Sequence, residues 1–327
     1  MWLMRSPNNN PKGIIFILVG MALFSVQDSL IKFIFNDVAL YELYFGRTLI
    51  AALLLVIFLI YKKEKIILKT HYPVLTAIRV TLFFFGFSFF YISLTFMTLA
   101  MANALFFSSP FFMSIFAKFF LKEEIGIRRW SAILVGFVGV YIVLNPNFND
   151  FNYFKLAPVA CALCYASSMT ITKYTSDKDN VFTQMIWLYI IATTFSILIY
   201  LFTGDGNLNS FSNPTMQFIT REWFVNPSYA WPYVFAMGLV GGLAFYCVFS
   251  AYSVASPSVV SLFEYSLIIW AMVAGYLLFK DVPTLRTFVG VGLIIGAGVY
   301  IYIREKKRDQ MIVTDTPNRW GKILYQQ

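Results

Sequence analysis

Apolar residues run through this chain in stretches of about the length an α-helix needs to cross a bilayer, separated by short polar or charged segments, from Gly13 almost to Arg304. The pattern predicts ten spans, near residues 13–34, 40–60, 74–98, 100–121, 127–145, 155–174, 182–203, 230–253, 257–279 and 284–303. The stretch around which the rest is organised is LFFSSPFFMSIFAKFFLKEE, Leu105 to Glu124, where Ser108, Ser109 and Pro110 interrupt an apolar run halfway. Proline removes one rung of the helical ladder, which a mid-membrane helix tolerates where a neighbour or a cavity satisfies the freed carbonyl. A pathway helix followed by a packing helix from Trp130 is expected; a plain span with an incidental kink is the alternative.

Composition sharpens the class. The chain is 59% hydrophobic and 13% charged over 327 residues, with a mean hydropathy of +0.70, whereas soluble domains carry about 25% charge. An all-α, multi-pass membrane protein follows. The segment 1–12 is polar, and the run Ile14–Ile31 is too long for a signal-peptide core, so it reads as a retained first span. The net charge of +9 does not point to nucleic acid, because the basic residues sit in loops between spans. With both termini cytoplasmic, nineteen basic residues fall on the inside and five outside (Lys32, Lys155, Arg221, Lys280, Arg286), as the positive-inside rule requires. The polar segment 204–228 lies outside on this reading, either as a short interfacial helix presenting Phe218, Trp223 and Phe224 to lipid headgroups or as a lid over the entrance. Residues 304–327 form a basic cytosolic tail. Cys161, Cys164 and Cys247 lie within spans; as small residues three apart, the first two suit close helix approach better than metal or redox chemistry.

The two halves of the chain echo one another. LKEEIGIRRW from Leu121 parallels FKDVPTLRTF from Phe279, and GVYIV from Gly139 parallels GVYIY from Gly298. Residues 13–146 and 147–303 hold five spans each, an odd number, so the second half enters the membrane from the opposite side. Inverted repeats place a site near the midplane between the halves. No GxxxxGK[ST] motif is present, which argues against direct nucleotide-driven pumping by this chain.

Several stretches resemble the drug/metabolite transporter superfamily, in its ten-helix form with two EamA-like repeats. They are AMANALFFSSPFFMSIFAKFFLKEE (100–124), RRWSAILVGFVGVYIVLNP (128–146), SLFEYSLIIWAMVAGYLLFKDVP (261–283) and the arginine-bearing YELYFGRTLIA (41–51). Lys280-Asp281 departs from the Gly-Glu often found at that loop. The resemblance implies a permease of the inner membrane that moves a small polar or amphipathic metabolite by alternating access, proton-coupled or as an exchanger. The FEY…WA pattern resembles a branch that includes transporters of riboflavin or S-adenosylmethionine. Other relatives export amino acids or drugs. A non-transporting subunit or a channel is the reading from another class.

Ionisable groups inside spans are candidates by default, because desolvating them is costly. Asp28 and Arg47 lie at equal depth, roughly 9–10 Å from the outer ends of the first two helices at 1.5 Å per residue, which predicts an ion pair. Lys32 and Glu42 are level nearer the surface. Each pair is a structural tie or a gate. Glu264, in the ninth span with no level cation, is a candidate proton carrier or partner of a cationic substrate. Among the abundant aromatics, Tyr44, Tyr91, Tyr165, Trp187, Tyr246, Tyr265 and Trp270 are favoured, since a phenol or indole inside a span needs a polar partner or a cavity. Such rings suit a planar or onium ligand. Asn103, Ser108 and Ser109 add hydrogen-bonding capacity; Gly136, Gly139, Gly292, Gly296 and Gly298 form small-residue packing faces, at a hinge or a dimer contact. The only histidine, His71, sits beside Lys69 and Tyr72 in a loop, and nothing resembles a catalytic set or a metal cluster, so neither enzyme activity nor a cofactor is expected. The expected partners are a small-molecule substrate and the bilayer, with the chain a monomer or homodimer.

Overall fold

The computed structural model describes residues 10–121, 127–144, 153–209, 213–225, 227–255, 260 and 263–314. Among them all regular structure is helical: α1 (Asn10–Ile34), α2 (Leu40–Lys62), α3 (Pro73–Ser93), α4 (Leu99–Phe106), α5 (Ser109–Leu121), α6 (Ile127–Leu144), α7 (Ala157–Thr175), α8 (Val181–Thr203), α9 (Pro214–Thr220), α10 (Ala230–Val254), α11 (Ser266–Phe279) and α12 (Leu285–Thr314). Seven segments among these residues are long and apolar enough to cross a membrane, the fourth of them joining α4 and α5, and the stretches Ser266–Phe279 and Leu285–Ala297 are shorter apolar helices.

The third predicted span is too long. It ends at Ser93, and after a turn the Thr98 side chain caps α4 by accepting from the Met101 N–H. Side-chain capping of this kind overrides an unbroken apolar pattern, because it satisfies one of the four orphan donors at the helix start. The last helix continues to Thr314, into the segment expected to be tail. The expected start of the ninth span at 257 lies outside the described residues. In the 204–228 segment, Phe218 and Trp223 are buried rather than turned to headgroups: Phe218 meets the Phe35 ring and Trp223 the Tyr200 ring, while Phe224 is exposed.

The packing is pairwise. α1 lies along α10, α3 along α7 and α6 along α12; α2 wedges between α8 and α10, and α5 and α11 pack on α7 and α1 respectively. Close approach depends on small residues, since lipid offers no hydrophobic drive between apolar helices. A Cβ added to Gly86 of α3 would sit 2.7 Å from the Cys164 Cβ of α7, so the glycine and the CxxC spacing serve one contact. Cys161 and Cys164 are free thiols. Gly139 of α6 faces Gly290 and Ile294 of α12, whereas nothing lies within 4 Å of a Cβ at Gly292 or Gly296.

Hydrogen bonds close both ends of the bundle. At one end, Asp179 accepts from the Thr70 hydroxyl and the His71 N–H (3.0 Å), and Trp187 donates to Leu68 O (2.9 Å). His71 is thereby a partner of Asp179 (Nδ1–Oδ1 3.1 Å), although half its side chain stays in contact with solvent. At the other end, Lys32 pairs with Asp281 (2.8 Å), Arg221 donates to Phe35 O (3.2 Å), and the Phe224 N–H donates to Glu42 Oε1 (3.2 Å).

The Cys164 Cβ is fixed to its backbone and cannot swing aside, so Gly86→Ala, which would put a second Cβ 2.7 Å from it, is expected to destabilise the detergent-solubilised protein by about 1–3 kcal/mol, seen as a lower midpoint in a thermal-unfolding scan.

Candidate functional site

Two helices break at mid-span. The fourth unwinds between α4 and α5, where Phe107 and Ser108 leave the α-helix and Pro110 supplies no N–H. Ser108 takes over locally: its N–H and hydroxyl both reach Leu105 O (3.1 and 2.9 Å). The second break lies just before α11, where Glu264 and Tyr265 form a turn whose carbonyls accept from Leu267 N (2.9 Å) and Ile268 N (3.1 Å). The breaks face one another. The Phe107 and Tyr265 ring centroids are 5.2 Å apart.

Glu264 is 0% exposed. The hydroxyls of Tyr165 on α7 and Tyr252 on α10 both donate to its Oε1, at 2.6 and 2.5 Å. Its Oε2 is buried without a partner. A buried carboxyl needs donors, and here phenols supply them in place of a cation. Tyr165 also lines a small cavity of about 20 Å³, the space of about one water molecule, with Asp28, Asn103, Leu267, Met21 and the rings of Phe24, Phe87, Phe90 and Phe106.

The expected ion pair between Asp28 and Arg47 does not form. Depth arithmetic ignores the angle around the helix axis, and Tyr44, three residues before Arg47 and so on the same face, places its ring 4.2 Å from the guanidinium. Arg47 Nη1 then donates to Tyr91 OH (2.9 Å), which also accepts from Gln27 Nε2 (3.0 Å), while Asp28 Oδ1 has no hydrogen-bond partner. Lys32 likewise reaches Asp281 rather than Glu42, joining the end of α1 to the loop before α12.

The structure brings together Glu264, Tyr265, Tyr165, Asn103, Asp28, Arg47, Tyr44 and Tyr91, all buried in one core. Ser108 is buried but spends its hydroxyl on the helix break. Three candidates lie elsewhere. Trp270 is 48% exposed, because α11 buries its Leu267–Ile268–Ala271 face and turns Trp270 outward. Trp187 serves the loop contact at Leu68. Tyr246 stacks on Phe182 and lines a separate apolar cleft of about 180 Å³ between α2, α8 and α10. Sequence reasoning missed Tyr252 and Gln27. The criterion that selected the other tyrosines, a phenol inside a span, applies equally to Tyr252; an amide inside a span is a comparable signal for Gln27.

Comparison with known proteins gives the family. The sequence matches the EamA-like transporter family over residues 11–145 and again over 155–303. The chain belongs to this family. Similar proteins include an S-adenosylmethionine uptake transporter of Rickettsia prowazekii, 26% identical over 90% of this chain and 94% of that one. A riboflavin transporter of Vibrio cholerae is 30% identical over 63% of each chain, and the pseudopaline exporter CntI of Pseudomonas aeruginosa is 23% identical over 90% and 97%. A crystal structure of 16% identity superposes with a TM-score of 0.68, covering 91% of this chain and 99% of that one, and so shares its fold. An EamA-family protein with these apolar helices is a multi-pass membrane protein, placed by its relatives among permeases for small metabolites rather than among enzymes.

Removing one of the two phenols at Glu264 leaves its Oε1 under-satisfied. Tyr252→Phe is expected to cost about 1–3 kcal/mol of stability, measured as a lowered unfolding midpoint in detergent, with Glu264→Gln in the same background recovering part of the loss.

Proposed function

We propose that this EamA-family protein is a secondary transporter of ten transmembrane helices in two inverted five-helix repeats, 13–146 and 147–303. Both termini face the cytoplasm across the inner membrane, 204–228 is an extracytoplasmic insertion and 304–327 a cytosolic tail. The packing pairs support this reading, since exchanging the halves turns the α1–α10 contact into α7–α3, turns α5–α7 into α11–α1, and leaves α6–α12 unchanged. The end contacts support it too: loops assigned to the outside meet one another, as Lys32 meets Asp281, and loops assigned to the inside do the same, as His71 meets Asp179.

The observation that carries the function is the facing pair of helix breaks with Glu264 between them. Discontinuous helices at corresponding positions of two repeats mark a midplane substrate site, and rocking of the halves exposes such a site alternately. The small size of the cavity, about 20 Å³, and the polar contacts at both ends support reading this conformation as an occluded one. The substrate is a compact metabolite with an aromatic ring or a cationic centre, a class to which the S-adenosylmethionine and riboflavin of the relatives belong. Asp28 and Glu264 are the groups able to couple its movement to a proton, or to exchange for a second solute. The similarity to the pseudopaline exporter favours export as the second reading; uptake into right-side-out against inside-out vesicles separates the two directions.

In proteoliposomes, Glu264→Gln is expected to abolish or uncouple transport, and unchanged uptake with an unchanged pH profile would remove Glu264 from the mechanism. Single cysteines replacing Lys63 and Lys280 should label from opposite faces of the membrane; labelling from one face would overturn the inverted arrangement.

A further inference from the structure

The two ends of α2 differ in charge. Glu42 lies in its first turn, whereas it finishes at Lys62 and the chain runs on through Lys63, Glu64, Lys65 and Lys69. The four lysines are exposed, and among the described residues none of them pairs with a carboxylate. A left-handed turn at Lys63 (φ 55°) sends the segment back along α8, where the Thr183 hydroxyl donates to Ile67 O (3.0 Å) and the Trp187 indole to Leu68 O (2.9 Å). The basic segment is therefore stretched across the neighbouring ends of α2 and α8.

Between these two helices, with α10 as the third wall, lies the apolar cleft of about 180 Å³. It extends from Phe58 and Phe182, towards the lysine end, to Ala51, Tyr189 and Gly242 nearer the middle. The stretch from Ala51 to Phe58 is about 10 Å long at ~1.5 Å per residue, against a hydrocarbon depth of about 15 Å for one leaflet. A cavity of ~150 Å³ admits benzene, so this cleft has room for part of a hydrocarbon chain. Phe58, Leu239 and Leu243 line it and are exposed, which opens it sideways to lipid. Lys62 stands one turn beyond Phe58 on the same face of α2. From α1, Lys12 lies over the Phe16 ring (5.8 Å), and that ring meets Tyr246 of the cleft wall edge-on (6.1 Å). A second cleft between α2 and α10, of about 330 Å³, lies towards the other end; its lining includes Glu42 and neither lysine nor arginine.

We propose that the lysine-headed cleft binds an anionic phospholipid, with the phosphate among Lys12, Lys62 and Lys63 and one acyl chain laid between α2, α8 and α10. Lysines next to the end of a membrane helix attract anionic headgroups, and the groove beneath them gives this attraction a fixed place. A second copy of the chain suits the cleft less well, since a two-fold contact there would bring the same lysines together from both sides. The proposal concerns a lipid site apart from the central cavity, and it stands whether or not the carrier reading does.

The test titrates the purified full-length protein in detergent with dioleoylphosphatidylglycerol and with dioleoylphosphatidylcholine, which share their chains and differ in net charge, and counts bound lipid by native mass spectrometry. One phosphatidylglycerol per chain is expected, bound about ten-fold or more tightly than phosphatidylcholine. The double variant Lys62→Gln, Lys63→Gln should cut that preference to about three-fold or less, and the corresponding arginine pair should keep it. A Cβ at Gly242 would make ordinary contacts with Ala51 (3.4 Å) and the Tyr189 hydroxyl (3.8 Å), so Gly242→Leu has the cleft to fill. It should weaken both lipids by about five-fold or more. If its unfolding midpoint without lipid shows that it does not fold, Leu243→Trp at the exposed rim takes its place. Equal affinity for the two lipids, a preference untouched in the glutamine pair, or lipid binding unaffected by a filled cleft would each overturn the proposal. So would displacement of phosphatidylglycerol by an equal concentration of glycerol 3-phosphate, which would leave a phosphate site without a chain, or a lipid-excluding dimer that the filled cleft disrupts.

Discussion

Lipid offers no hydrogen bonds, and that constraint governs where this chain is permitted to unwind. A backbone group freed from a helix inside a bilayer must find its partner within the protein, so unwound turns are confined to places that neighbouring helices cover. Both interruptions obey this. The Phe107–Ser108 break is sealed by the serine itself, which satisfies Leu105 O with side chain and main chain together. The Glu264–Tyr265 turn is closed by short-range bonds to Leu267 and Ile268 and is buried completely. Because each break needs cover, the two come to lie against one another in the interior of the bundle, where the Phe107 and Tyr265 rings meet.

Charge in the core is managed chiefly by aromatic rings. Glu264 is held by two phenols, and Arg47 by two ring faces and a phenol oxygen. Tyrosine suits this task because one end is apolar and the other is a hydrogen-bonding group. The paired charges, by contrast, are near the ends of the bundle, where Lys32 and Asp281 retain contact with water. Ends closed by exchangeable polar contacts and a centre held by stiff rings form a division suited to a carrier that opens at its ends around a preserved site.

Much of the membrane architecture was legible in the residue pattern. Apolar length predicts a helix directly, because in lipid no other unpaired element survives, and α1, α2, α8 and α10 match the expected spans to within a few residues. Ser108, Ser109 and Pro110 marked the first break. The second was legible only as an ionisable residue, since Glu264-Tyr265 contains neither proline nor glycine. Errors arose where a one-dimensional signal was asked for a direction in space. Trp270 and Tyr265 are five residues apart in the same span, yet one faces outward and the other the core. Phe218 and Trp223 have the composition of an interfacial belt and are nonetheless buried, against Phe35 and Tyr200 respectively.

The sequence by itself determined that this chain is an all-helical membrane protein with two similar halves, and it marked the ionisable and aromatic residues that a bilayer would not tolerate without purpose. Those properties follow from the energetics of transfer into lipid, which depend on composition and length alone. Only the tertiary structure decided which of these residues meet. Tyr252 joins Glu264 from a different helix, Lys32 crosses to Asp281 in the other half, and Tyr44 and Tyr91 hold Arg47 between their rings. Depth can be counted along a helix, but the face a side chain occupies depends on how its helix is rotated and what packs beside it, and both are set by contacts distant in the chain.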